Sequence, residues 1–122
     1  MIGYTTFGTN DIQRAARFYD ALLAELGGKR AMEMPTFIAW ASTPGGPMVA
    51  VIKPNDGKAA TVGNGVMVAL AASSKAQVDK VYAKAISLGG KDEGKPGPRG
   101  DGFYAAYFRD LDGNKLNAFY MG

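Results

Sequence analysis

The 122-residue sequence contains no cysteine and no histidine, and these two absences exclude several kinds of chemistry. Without cysteine the chain can form no disulfide, no thiolate nucleophile and no iron–sulfur cluster. Without histidine it has no imidazole to act as a general base or to hold zinc or iron. Carboxylates, lysines, tyrosines, hydroxyls and the backbone remain for chemistry. The length itself predicts one domain, residues 1–122, with a packed core.

The sequence also lacks any concentration of charge of one sign. It carries 14 Lys and Arg against 11 Asp and Glu, with no basic run, whereas nucleic-acid binding typically needs a clustered basic face. The longest apolar run, Val66 to Ala72, is far shorter than the ~20 residues of a membrane helix. The first residues show no charged segment followed by an apolar one, as a secretory signal would. We therefore expect a cytoplasmic protein that contacts neither nucleic acid nor membrane.

Two amphipathic helices are indicated by apolar residues at three- and four-residue spacing. The first stripe runs from Ile12 to Leu26 after the capping candidates Thr9-Asn10-Asp11, and the second runs from Val78 to Ile86 after Ser73-Ser74. Each stripe ends in the same four letters, Leu-Gly-Gly-Lys, 62 residues apart. Glycine past the last apolar residue is typical of a helix end.

Short extended segments surround each helix and repeat in the same order. They are residues 2–8, 29–33, 36–42 and 47–53, and then 66–72, 91–95, 103–109 and 115–120. Residues 94–102 are rich in glycine and proline and are predicted to form a solvated loop that includes Arg99. The order β-α-β-β-β thus occurs twice, in residues 1–54 and 65–122, with a loop over 55–64. We predict an α+β fold of two tandem βαβββ modules that form a curved mixed sheet, with helices outside and a concave cavity inside.

These features resemble the vicinal oxygen chelate superfamily, which includes glyoxalase I, the bleomycin- and fosfomycin-resistance proteins and the extradiol dioxygenases. The duplication carries the resemblance together with the opening Asn10-Asp11-Ile12…Phe18-Tyr19 and the closing turn Arg109-Asp110-Leu111-Asp112-Gly113-Asn114. The resemblance implies a U-shaped cavity, in many members with a divalent metal held by one residue from each of four strands. It also implies a homodimer, because dimers with cavities across their interface are common in the family.

The four positions where relatives hold metal fall on Tyr4, Met67, Asn117 and, by matching Gly46 to Gly113, Ala50. Relatives carry histidine, glutamine or glutamate at most of these positions. A phenol, a thioether, an amide and a methyl group do not make a site for a catalytic divalent cation. We therefore expect no metal site, no cofactor and no metal-dependent reaction.

The same positions predict a mostly apolar and aromatic ligand cavity. Strand alternation places Thr6 beside Tyr4, and Lys115 beside Asn117. It leaves open whether Trp40 with Ile38 or Phe37 with Ala39 lines the cavity, and whether Tyr104 with Ala106 or Phe103 with Tyr107 does. We take Trp40 and Tyr104 as the candidates. The predicted ligand-binding set is Tyr4, Thr6, Trp40, Ala50, Met67, Tyr104, Lys115 and Asn117, with no catalytic residue.

Four functions are compatible with this cavity. The favoured one is a metal-free protein that binds a small, partly aromatic or apolar molecule, similar to the bleomycin-resistance branch. The second is a metal-independent lyase or isomerase in which Tyr4 or Lys115 moves a proton. A glyoxalase- or dioxygenase-like metalloenzyme would require ligands that the chain lacks. Finally, a concave strand face can also receive a peptide from a partner protein.

Overall fold

The computed structural model describes all 122 residues and contains two successive βαβββ units. The first consists of β1 (Tyr4–Gly8), α1 (Ile12–Ala24), β2 (Lys29–Met34), β3 (Phe37–Ala41) and β4 (Met48–Ile52). The second consists of β5 (Val68–Ala71), α2 (Lys75–Ser87), β6 (Lys91–Pro98), β7 (Phe103–Arg109) and β8 (Lys115–Met121). The predicted α+β class with tandem modules is confirmed. Each helix has 13 residues, and neither is long and apolar enough to cross a membrane.

Each module forms its own four-stranded mixed sheet, with the same strand order in both. The orders are β1-β4-β3-β2 and β5-β8-β7-β6. In each sheet the first strand runs parallel to the last and the remaining pairs are antiparallel. The strand hydrogen bonds therefore divide the expected single curved sheet into two sheets, one from each module.

Both helices begin and end as their sequences predict. The Asp11 carboxylate accepts the Arg14 amide at the start of α1, and the Ser74 hydroxyl accepts the Gln77 amide at the start of α2. After each helix a glycine adopts a left-handed backbone conformation, Gly27 at φ 76° and Gly89 at φ 96°. Only glycine takes such φ values without strain, which explains why both modules use the same Leu-Gly-Gly ending.

One continuous core joins the two modules. Nineteen buried residues from both helices and from the helix-facing sides of both sheets form a single cluster. Its centre is aromatic: the Tyr19 ring lies 5.2 Å from Phe18, 5.6 Å from Trp40 and 6.2 Å from Phe7, measured between centroids. The modules are therefore held together by burial of their helices and of one face of each sheet.

The structure corrects the prediction at residues 94–102. These residues do not form only a loop, because β6 continues through Pro96 to Pro98 before the turn begins. The strand lies at the edge of its sheet, where prolines cost few hydrogen bonds, and its register with β7 shifts twice, after Asp92 and after Gly94. The fifth strand is also shorter than expected, so Met67 lies just before β5.

The turn between β7 and β8 connects the second module to the beginning of the first. Buried Asp110 accepts the Tyr19 hydroxyl at 2.6 Å and the Asn114 amide at 2.9 Å through Oδ2, and the backbone N–H groups of Asp112 and Asn114 through Oδ1. The Asn114 amide also donates to the Gly8 carbonyl at 3.0 Å. Residues of the closing motif thus bond directly to β1 and α1.

Burial is the largest influence on the pKa values of Tyr19 and Asp110. Burial first, and then the neighbouring Asp110 carboxylate, raise the pKa of Tyr19 well above its ordinary value of 10.0. Burial also raises the pKa of Asp110, while its hydrogen bonds from Tyr19 and Asn114 act in the opposite direction. Burial therefore favours the protonated form of the Tyr19 phenol, which donates to Asp110.

Substituting Tyr19→Phe removes one donor from a buried carboxylate, so we expect the free energy of unfolding to fall by about 2 kcal/mol. Urea denaturation monitored by circular dichroism measures this change. Tyr82→Phe is the matched control, because the Tyr82 hydroxyl donates to Asp92 at 2.9 Å in an exposed position, and it should cost less than about 0.5 kcal/mol. Equal losses for the two variants would contradict the proposed importance of the buried bond.

The raised pKa of Tyr19 also predicts how stability depends on alkaline pH. Above pH 10 the unfolded chain releases the phenolic proton while the folded chain retains it, so stability falls as pH rises. One such proton corresponds to about 1.4 kcal/mol per pH unit. Urea midpoints between pH 8 and pH 11 should therefore fall more steeply for the wild type than for Tyr19→Phe, and parallel curves would show that Tyr19 does not contribute.

Candidate functional site

Each sheet has one face covered by its helix and one face turned away from it, which we call its open face. Along the strands, alternate side chains belong to each side. The first open face carries Tyr4, Thr6, Met48, Ala50, Ile52, Phe37 and Ala39. The second open face carries Ala69, Ala71, Lys115, Asn117, Phe119, Phe103, Ala105, Tyr107 and Arg109. Five of the eight predicted ligand-binding residues lie on these faces, divided between the two.

Trp40 does not lie on an open face, and its predicted placement is wrong. Its indole N–H donates to Asp20 of α1 at 2.8 Å, and its ring packs in the core with 2% exposure. Asp20 also forms an ion pair with Arg30, and the hydrogen bond from Arg30 is the main reason why the pKa of Asp20 is lowered. Since Trp40 turns toward the helix, Phe37 and Ala39 are the β3 residues on the open face.

The predicted placement of Tyr104 is also wrong, because Tyr104 turns toward the helix of the second module. Its hydroxyl donates to Asp79 of α2 at 2.7 Å, which raises the pKa of Tyr104, and the Lys75 ammonium lies 5.7 Å from its ring centroid. Phe103 and Tyr107 therefore occupy the open face of β7. The sequence does carry a signal for these orientations. Each helix has an aspartate beside its apolar stripe, and such an aspartate can accept a hydrogen bond from an aromatic side chain on the helix-facing side of the sheet.

The first open face is a shallow aromatic surface over alanines. Ala39 and Ala50 are fully buried although they face away from the helix. The rings of Tyr4 and Phe37 meet edge to face on this side, with centroids 5.9 Å apart. Tyr4 remains 57% exposed and lines a cavity of about 750 Å³ with Met48 and the turn over residues 43–46.

The second open face has a polar centre. Asn117 lies between Ala69 of β5 and Tyr107 of β7, and it is 1% exposed. Its amide oxygen Oδ1 is enclosed and accepts no hydrogen bond. A buried acceptor without a partner costs roughly 1–3 kcal/mol.

Aromatic rings and a chain segment border Asn117. The rings of Phe103 and Phe119 stack at one end of the face, with centroids 5.6 Å apart and planes 18° apart. At the other end, a groove of about 590 Å³ separates residues 62–67 from Tyr107, Arg109 and Lys115. Met67 lines this groove, so the structure brings Met67, Lys115 and Asn117 to one region.

The four positions that correspond to the family's metal ligands do not fit a divalent cation. Ala50 lies opposite Thr6 and Asn117 opposite Ala69, so these two occupy equivalent places in the two modules. The donors at the four positions are a phenol, a thioether and an amide oxygen, and Ala50 supplies none. Nowhere in the chain do three His, Cys, Asp or Glu residues gather into a group that could hold a metal ion.

Comparison with known proteins identifies relatives across the whole length of the chain. The family model for the Glyoxalase/Bleomycin resistance protein/Dioxygenase superfamily matches residues 1–118. A glyoxalase/bleomycin resistance protein from Albidiferax ferrireducens is 36% identical with a TM-score of 0.92, covering 100% of this chain and 99% of that one. No curated protein sequence matches the chain.

More distant structures share the fold alone. A lactoylglutathione lyase from Agrobacterium tumefaciens is 20% identical with a TM-score of 0.73, covering 98% of this chain and 92% of that one. A glyoxalase/bleomycin resistance protein/dioxygenase family enzyme from Burkholderia phytofirmans is 17% identical with a TM-score of 0.78, covering 98% of each chain.

Replacing Asn117 with leucine, which has the same branching at Cγ, removes the buried acceptor that has no partner. We expect the free energy of unfolding to rise by about 1 kcal/mol, because the desolvation cost of the amide disappears. Asn114→Leu is the matched control, since the amide of Asn114 donates to Asp110 and Gly8, and it should destabilise by about 2 kcal/mol or more. Urea denaturation measures whether the free energy of unfolding rises for Asn117→Leu and falls for Asn114→Leu. Destabilisation of both variants would show that the Asn117 amide has a structural role.

Proposed function

The chain belongs to the glyoxalase/bleomycin resistance protein/dioxygenase superfamily, and we propose that it binds a small, partly aromatic or apolar molecule without a metal ion. The observation that carries this proposal is Asn117. Its enclosed amide oxygen lacks a hydrogen-bond donor, and Asn117 lies opposite Tyr107 and two residues from Phe119 on a face that no helix covers. A ligand that displaces the groups covering Oδ1, donates to it and packs on these rings would satisfy the acceptor and bury the apolar surface.

The donor set supports a function without metal-dependent chemistry, of which we propose sequestration. Tyr4, Met67 and Asn117 offer no carboxylate and no imidazole, which hard and borderline cations respectively require. Metal-independent turnover remains the alternative. In that case Tyr4 or Lys115 would have to move the proton.

We further propose that two copies of the chain associate. Large apolar side chains are exposed on or beside both open faces, with Tyr4 at 57%, Met34 at 47%, Met67 at 40% and Met121 at 67%. Apolar side chains grouped in this way are typical of surfaces that another molecule covers. A homodimer would enclose the open faces and convert their grooves into deeper cavities. The cytoplasmic location and the lack of a nucleic-acid partner stay predictions.

Purified protein should contain substoichiometric metal by elemental analysis, and an aromatic ligand should raise its thermal midpoint without being converted. A compound at 100 times its dissociation constant adds about 2.7 kcal/mol of stability. The screen uses aromatic antibiotics and metabolites, and each compound that stabilises the protein is then tested for product by chromatography. The ligand-induced shift should disappear in Asn117→Leu.

Thr5→Val is the matched control for this loss. Thr5 Oγ1 is the other buried side-chain atom without a hydrogen-bond partner, but Thr5 lies on the helix-facing side of β1 with Phe7. The valine variant should therefore keep the full ligand-induced shift. A stoichiometric, tightly held metal ion or the appearance of product would refute the proposal of a metal-free binder, and undiminished shifts in Asn117→Leu would remove Asn117 from the site.

A further inference from the structure

The second open face changes from charged to apolar along both of its central strands. On β8 the order is Lys115, Asn117, Phe119 and Met121. On β7, which runs in the opposite direction, the facing order is Arg109, Tyr107, Ala105 and Phe103. Lys115 and Phe119 are four residues apart on β8, a separation of about 13 Å, so the cationic end and the aromatic end can both be reached by one elongated aromatic molecule.

Two cations at the charged end lie on one aromatic ring. The Arg99 guanidinium carbon and the Lys115 ammonium nitrogen are each 5.6 Å from the centroid of Tyr107. Neither side chain forms an ion pair with a carboxylate. Arg109 differs, because its Nε donates to Glu93 at 2.7 Å. Arg99 and Lys115 are therefore not bonded to a carboxylate, although the hydrogen bond and charge of Arg109, and after them the charge of Lys115, contribute to lowering the pKa of Glu93.

The backbone of β6 holds Arg99 in this position. Arg99 follows the end of the strand, and its Nη2 donates to the Lys95 carbonyl at 2.7 Å, which folds the side chain back across β6. Gly94 and Gly97 leave the space for it, since a Cβ at either position would lie 3.3 Å or 3.1 Å from the guanidinium nitrogens. The guanidinium is thus placed over Tyr107 by a hydrogen bond and by two missing side chains.

We propose that the ligand of the second open face is an aromatic or apolar molecule that carries one anionic group, such as a carboxylate, sulfonate or phosphate. This inference rests on the proposed binding function and adds the charge and orientation of the ligand. The anionic group binds beside the Tyr107 ring, where Arg99 from the β6 side and Lys115 from the β8 side each supply a positive charge. The apolar body then lies past Asn117 over Ala69 and Ala105 toward the rings of Phe103 and Phe119.

A pair of fluorescent dyes tests the charge. 8-Anilinonaphthalene-1-sulfonate and N-phenyl-1-naphthylamine have the same aromatic body and differ by the sulfonate, and both brighten in apolar surroundings. Fluorescence titration of the full-length wild-type chain should give at least a tenfold lower dissociation constant for the sulfonate. Added salt should reduce this preference, since ions screen the charges.

Substitutions test whether Arg99 and Lys115 cause the preference for the sulfonate dye. Lys115→Gln and Arg99→Gln should each weaken sulfonate binding about fivefold and leave the neutral dye unchanged. Lys75→Gln is the matched control, because Lys75 also lies over a tyrosine ring of this sheet but on the helix-covered side. It removes the same unit of charge and should change neither titration. Ala69→Trp fills the space beside Asn117 on the open face and should weaken both dyes.

The outcomes separate this inference from the proposed function. Equal affinity for the two dyes, both reduced by Ala69→Trp, would overturn the anionic ligand and keep the binding face. A preference for the sulfonate that persists in Lys115→Gln and Arg99→Gln would also overturn it. If neither dye binds, or if Ala69→Trp changes neither titration, both the inference and the proposed site fail. Circular dichroism of each variant verifies that the comparison is made between folded proteins.

Discussion

The Asp110 carboxylate is the point at which the two modules depend on one another. Four donors from Tyr19, Asp112 and Asn114 surround it in a buried position. Tyr19 comes from the helix of the first module, whereas the other donors belong to the turn between the last two strands of the second. A buried carboxylate is costly unless it is hydrogen-bonded, and docking of the modules supplies Tyr19 as the fourth donor to an aspartate whose other three donors lie in its own turn. The five residues between β7 and β8 thus serve as an intramolecular joint as well as a hairpin turn.

This joint also determines which surfaces remain available. With both helices and one face of each sheet committed to a common core, the binding chemistry is confined to the opposite faces. The two faces are not equivalent, although the modules repeat. Ala50 and Asn117 occupy matching positions in the two modules, and of these two side chains only that of Asn117 has polar atoms. The duplication supplies a symmetric framework, and single side chains such as Asn117, Arg99 and Lys115 make one half of it a candidate site.

The sequence contained most of the fold because its signals are local. Helical stripes, capping residues, Leu-Gly-Gly endings and the closing turn each act within a few residues, and their repetition predicts the tandem architecture. The strands alone do not predict which faces of β3 and β7 are open, because each strand has aromatic residues on both sides. Their orientation depends on Asp20 and Asp79, which lie on helices distant in the sequence. Likewise, part of the loop predicted over residues 94–102 is an edge strand. Its prolines are typical of a loop, but proline is excluded only from strands that are paired on both sides.

The edge strand β6 has a consequence for how copies of the chain can meet. Pro96 and Pro98 offer no N–H group on the outer rim of the second sheet, and Lys91 and Lys95 add charge there. Sheets that grow from molecule to molecule need an uninterrupted row of donors and acceptors at such a rim, and prolines and lysines prevent it. The strand that holds Arg99 over Tyr107 therefore also closes this border to strand addition, so the same eight-residue segment opposes fibrillar aggregation.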